Sequence, residues 1–225
     1  MEHLPIYIPV IFVLTTLLTV ALMYKASNHS KPVIIIMLLW LVLQSTIGLS
    51  GFYLISSGTP PRFALLLMPP VVLIVILFLT KKGRLLMDGF DAKTLTLIHI
   101  VRVPVELTLY WLFLHKAIPE IMTFEGRNFD ILCGLTAPLI YYWGYIKNAL
   151  GRSALLAWNI ACLLLLANIV VTGILSAPFD FQKLAFDQPN VALFYFPFVW
   201  LPCFIVPIAL LAHIVNIRKL IKNKN

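Results

Sequence analysis

Charge is scarce in this sequence. Only 12% of its 225 residues are Asp, Glu, Lys or Arg, where a soluble domain carries about 25%. So few charges cannot cover a globular surface, which excludes an ordinary soluble enzyme. Apolar residues make up 61%, which excludes a disordered chain. Cysteine is sparse too. Cys133, Cys162 and Cys203 are odd in number and sit inside apolar runs, which argues against a disulfide framework. CxxC and Cys/His zinc spacings are absent, as are HExxH, GxSxG, a P-loop and an Asp-rich prenyl-diphosphate motif.

What is present is apolar sequence in long runs. A bilayer-spanning helix takes about 20 such residues. Seven runs qualify: 4–24, 32–55, 63–80, 94–114, 129–146, 154–175 and 191–215. The expectation is an all-α polytopic integral membrane protein, one seven-helix domain over residues 1–225. The first run is read as a retained helix rather than a signal peptide, because Glu2 and His3 lead into it with no basic segment. The run at 191–215 contains no Lys, so retinal is not expected.

Net charge is +8, from 17 Lys and Arg against 9 Asp and Glu. These basic residues flank apolar runs, so they report topology and do not suggest a nucleic-acid partner. Twelve fall in alternate connectors and the tail, among them Lys25, Lys31, Lys81, Lys82, Arg84, Lys147, Arg152, Arg218 and Lys224. Four fall on the other side: Arg62, Lys116, Arg127 and Lys183. The positive-inside rule puts the N-terminus outside and the C-terminus in the cytoplasm, as for a protein of the cell (inner) membrane.

The run 94–114 holds Arg102 and Glu106 near its middle. A charge at a helix centre costs about 2.5–3.5 kcal/mol on insertion scales, so both must face the bundle interior. His99, Arg102, Glu106 and Tyr110 share one face at helical spacing, and Arg102 and Glu106 are four apart, close enough to pair. Pro104 between them predicts a kink. Gln44, Asn159 and Asn168 are polar partners offered by neighbouring spans. His99 and His213 are expected at similar depth and are the ligands available for a haem or metal ion, although nothing else calls for a cofactor.

The connector after this run brings His115, Glu120, Glu125, Arg127, Asn128 and Asp130 to the outer mouth. Glu125, Asp130 and His115 have the chemistry of acid/base groups or cation ligands. The second long outward connector alternates Phe179, Phe181 and Phe186 with polar residues, as a lid or a headgroup-level turn does. Tyr141, Tyr142, Trp143 and Tyr145 suggest either an interfacial belt or a cavity wall. Pro197, Pro202 and Pro207 predict a bent last helix.

Three functions fit this pattern. The first is binding or transport of a small molecule through an outward-facing polar cavity around Arg102, Glu106, Tyr110, His99, Arg127 and Asn159. The second is a membrane-embedded enzyme acting on a lipid or isoprenoid, with Glu106 as acid, or Glu125 and Asp130 in its place. The third is a structural or regulatory subunit of an envelope complex. Membrane lipids and a small-molecule ligand are the expected partners.

Overall fold

The computed structural model describes residues 4–55 and 61–222, so Glu2, His3 and Lys224 lie outside the described residues. Every regular element among the described residues is helical. Helix α1 spans Tyr7–Ala26, α2 Lys31–Leu49 and α3 Ala64–Leu79. Helix α4 (Lys81–Asp88) follows α3 across a 95° bend. Helices α5 (Ala92–Ile98) and α6 (Arg102–Leu114) form one span of 23 residues, joined by a 3-10 turn at His99–Val101. Helix α7 (Ile131–Ile140) runs into a π turn at Tyr141–Ile146. Helix α8 is Arg152–Leu175, and a π turn at Leu201–Ile205 opens α9, Val206–Lys222. Five of these helical stretches are long and apolar enough to cross a membrane, or six if α3 and α4 are one bent span; Ile131–Ile146 is apolar but shorter.

The prolines explain the irregular turns. Pro104 has no N–H to give the Ile100 carbonyl, and its ring crowds that carbonyl; the α-helix tightens to 3-10 at His99–Val101, one turn upstream. The π turns follow Pro138 in α7 and contain Pro202 before α9. Gly51 ends the second span early. Its φ of 72° lies in the left-handed region, and the chain leaves α2 at Leu49 for a 3-10 turn at Phe52–Leu54 instead of continuing to residue 55.

The last apolar run divides. Residues 191–200 carry a short 3-10 turn at Ala192–Phe194 and pack on the bundle end, and helix runs from Leu201 to Lys222, beyond the expected end at 215. Apolar composition marks both parts alike, but only the second sustains a helical ladder. Helix α4 was expected as plain connector. Thr80 caps it by accepting from the Gly83 N–H at 3.1 Å.

Contacts sort the connectors by end. At one end Asn28 donates to the Gly89 carbonyl, Asp91 N–H to Ala26, and Arg152 to Ile221. Arg218 and Lys222 pair with Asp88 at 3.1 and 2.9 Å, and Lys219 donates to the Phe90 carbonyl. Connectors 26–31, 80–92 and 147–152 therefore meet the end of α9. At the other end Asn168 donates to the Arg127 carbonyl, Asn190 to Gly173 and Gln188 to Phe113, and Phe63 stacks with Phe179 at 4.7 Å. Between the ends the outer face is apolar, with Leu39, Val42, Leu79 and Leu164 exposed as a lipid-facing surface requires.

Candidate functional site

The polar side chains of the α5–α6 span point into the bundle. His99, Arg102 and Glu106 are 0%, 3% and 1% exposed. Gly134 lets α7 close on this face: a Cβ there would lie 2.9 Å from the Val103 nitrogen and 3.2 Å from Arg102 Cβ. That approach sets the partner of Arg102. Its guanidinium pairs with Asp130, at the foot of α7, both side chains being buried. It does not pair with Glu106, four residues along its own helix. Glu106 Oε2 instead accepts from Asn128 Nδ2 at 2.6 Å.

Asn128 joins the two. Its Nδ2 also donates to the Met122 carbonyl at 3.0 Å, and its Oδ1 accepts the Asp130 N–H at 3.1 Å. The last residues of the connector between α6 and α7 thus descend into the bundle. They fill the mouth of the expected cavity, and in this conformation Arg102 and Glu106 are sealed.

A second group lies on the other side of Arg102. Its other terminal nitrogen is 3.1 Å from His213 Nε2, and His213 Nδ1 is 3.0 Å from Asn159 Oδ1. Asn159 Nδ2 donates to the Leu155 carbonyl at 2.8 Å, which turns its amide oxygen towards His213. His213 therefore carries its proton on Nδ1, and its Nε2 lone pair faces Arg102. The His99 ring stacks on His213 with centroids 3.8 Å apart, and the Trp158 ring stands edge-on to His99 at 5.7 Å. Haem ligation by this pair needs a porphyrin between the rings, and the stack leaves no width for one. One ligating atom each from His99, Cys133 and His213 lie within 4.8 Å of one another.

The structure thus brings together His99, Arg102, Glu106, Asp130, Asn159 and His213. It leaves out Tyr110, half-buried against Phe124 at 4.9 Å, and Glu125, Arg127 and His115, which are exposed. Glu125, Asp130 and His115 therefore form no common site. Arg127 lines a cleft of about 610 Å³ with Glu120, Asp187 and Gln188 at that end of the bundle. Gln44 is occupied by the Tyr53 hydroxyl and Asn168 by the Arg127 carbonyl. Tyr142 and Trp143, 45% and 47% exposed, belong to the surface of the bundle. Phe179 and Phe181 tuck over the bundle end, while Phe186 projects outward.

Sequence reasoning assigned no site role to Asn128 or Cys133. A signal for Asn128 was present: it precedes Asp130 by two residues, next to an apolar run that had to be entered. Cys133 gave none, since a thiol in an apolar run is ordinary core.

A family model covers residues 59–221, which includes every residue of this cluster. The chain belongs to the family described as domain of unknown function DUF8737. Comparison with curated proteins and with solved structures finds no match. The whole cluster around Arg102 thus lies in the family domain, and α1 and α2, with Gln44, lie outside the matched residues.

Proposed function

We propose that this is a seven-span protein of the cell (inner) membrane, N-terminus outside, that binds or transports a small solute bearing an anionic group. Support for seven traversals comes from the two-ended sorting of connectors, since successive connectors alternate between the ends. The side carrying most Lys and Arg is then cytoplasmic.

One observation carries the solute reading. The carboxylate on Arg102 comes from Asp130, at the foot of the outward connector, and not from Arg102's own helix. A buried guanidinium must keep an anionic partner. If residues 119–130 withdraw, Arg102 is left for a carboxylate or phosphate arriving from outside, and Asn128 leaves Glu106 in the same movement. Arg suits this role because its fork binds such groups through two hydrogen bonds. The test is native mass spectrometry of the full chain released from its own membranes. The wild type is expected to carry a small anionic adduct, and Arg102→Lys, which keeps the charge but loses the fork, to lose it. An adduct-free wild type, or an adduct kept by the variant, overturns the reading.

A second reading gains from the same geometry. With Arg102 committed to Asp130, Glu106 is free of a direct cationic partner and suits a general acid acting on a lipid or isoprenoid. A cavity of about 80 Å³ beside Leu109 of this span, lined also by Met122, Phe194 and Leu201, is apolar and has room for a short alkyl segment. Turnover that survives Glu106→Gln excludes this role.

A further inference from the structure

Among the described residues, neither ring nitrogen of His99 has a hydrogen-bond partner, although the side chain is fully buried. An imidazole sealed from water with no partner loses its hydration and gains nothing in return. The His213 ring covers one of its faces at 3.8 Å, and Trp158 stands beside the stacked pair, its ring 5.7 Å from His99 and 5.8 Å from His213. The Cys133 thiol and a ligating nitrogen of His213 lie within 4.8 Å.

His213 has the surroundings of a metal ligand. Its Nδ1–H is held by the Asn159 oxygen, and Asn159 is itself fixed by the Leu155 carbonyl. This outer shell sets the tautomer and leaves Nε2 as the ligating position; that lone pair accepts from Arg102 at 3.1 Å, and a metal ion takes it only as Arg102 gives up that contact and keeps Asp130. For bonds of about 2.0 Å to nitrogen and 2.3 Å to sulfur, three ligand atoms around one ion lie about 3.5–3.7 Å apart. The three atoms, within 4.8 Å of one another, close on an ion by up to about 1 Å. The two rings are parallel, so their lone pairs run side by side. A turn of His99, which holds no hydrogen bond, makes them converge.

From this geometry we infer that His99, Cys133 and His213 form a buried site for a single soft metal ion, Cu(I). Two imidazoles and a thiolate suit a soft ion, and three ligands satisfy Cu(I) where a structural Zn²⁺ site wants four. Charge points the same way. Arg102 and Asp130 already neutralise each other. Cu⁺ binds as the Cys133 thiol gives up its proton to water: the S–H bond breaks, an S–Cu bond forms, and the net charge of the centre is unchanged. Zn²⁺ at the same ligands leaves an extra positive charge beside Arg102, away from water. The site stands independently of the solute reading, which uses the Asp130 side of Arg102.

The experiment is an anaerobic titration of the detergent-purified full chain with Cu(I), in competition with a chromophoric Cu(I) chelator. The wild type is expected to take one equivalent and release one proton. Cys133→Ala and His99→Phe, which remove the ligand atoms, are expected to bind at least ~100-fold more weakly. Asn159→Ala is expected to weaken binding about 10–100-fold by freeing the His213 ring. X-ray absorption of the wild-type complex needs no variant to fold, and is expected to show one sulfur and two nitrogens around copper. A wild type that binds no stoichiometric Cu(I), a first shell without sulfur, full binding by both ligand variants, or displacement of Cu(I) by equimolar Zn²⁺ overturns the inference.

Discussion

Asp130→Asn probes the core of this structure most sharply. The substitution keeps the shape of the side chain and an oxygen for Arg102, but removes the charge. Both partners are buried, so Arg102 is left as an uncompensated cation inside the bundle. Removing one member of such a pair costs about 3–5 kcal/mol, roughly a hundred- to several-thousand-fold in the unfolding equilibrium. Glu106→Gln is the matched control. Its acceptor oxygen for Asn128 survives, no cation loses its partner, and the cost is at most that of one hydrogen bond, about 0.5–1.5 kcal/mol. Replacing both Arg102 and Asp130 by Met and Leu removes the stranded charge and is expected to recover most of the loss. Denaturation of the detergent-solubilised protein, followed by tryptophan fluorescence, measures all three against the wild type. An Asp130→Asn variant as stable as Glu106→Gln, or a double variant worse than the single one, refutes the pairing.

Three further outcomes follow from the packing and the ends of the bundle. Gly134→Val drives a side chain into the Val103 backbone and is expected to cost about 1–3 kcal/mol, since α7 must back away from α6; Gly134→Ser, being smaller, costs less in the same denaturation assay. Hydrogen bonds from Arg218 and Lys222 hold the Asp88 carboxyl below the usual carboxylate range. A carboxyl depressed in the folded state stabilises above its unfolded value and loses that contribution as pH falls through the folded one. Amide exchange in Lys81–Asp88 is therefore expected to quicken below the usual carboxylate range in the wild type, and Asp88→Asn to flatten that dependence. Lys82→Cys is expected to react with an impermeant thiol reagent only after the membrane is opened, and Asp187→Cys in intact cells; the reverse pattern inverts the orientation.

Much of this architecture is legible in the sequence. The runs at 4–24, 63–80, 94–114 and 154–175 agree with helices to within a few residues, because length and apolarity alone determine them. The burial of Arg102 and Glu106 follows from the cost of facing lipid. Their partners do not follow, because spacing along one helix describes neighbours on a free surface. Here the approach permitted by Gly134 brings in Asp130 from 28 residues away. The same limit hid Asn128, whose connector dips between helices, and Cys133, whose meaning depends on two histidines from other helices. The aromatic run before Leu201 misled for a different reason: apolarity records burial and does not distinguish a packed loop from a helix.

The central claim is that the outward connector plugs a solute path and can withdraw from it. Asn128→Cys tests this directly, with the native chain, whose Cys133, Cys162 and Cys203 are buried, as the unlabelled control. Labelling by an impermeant maleimide applied to intact cells is the result this account predicts for the folded variant. Protection of Cys at 128 from both faces of the membrane, or labelling from the cytoplasmic face alone, would contradict it.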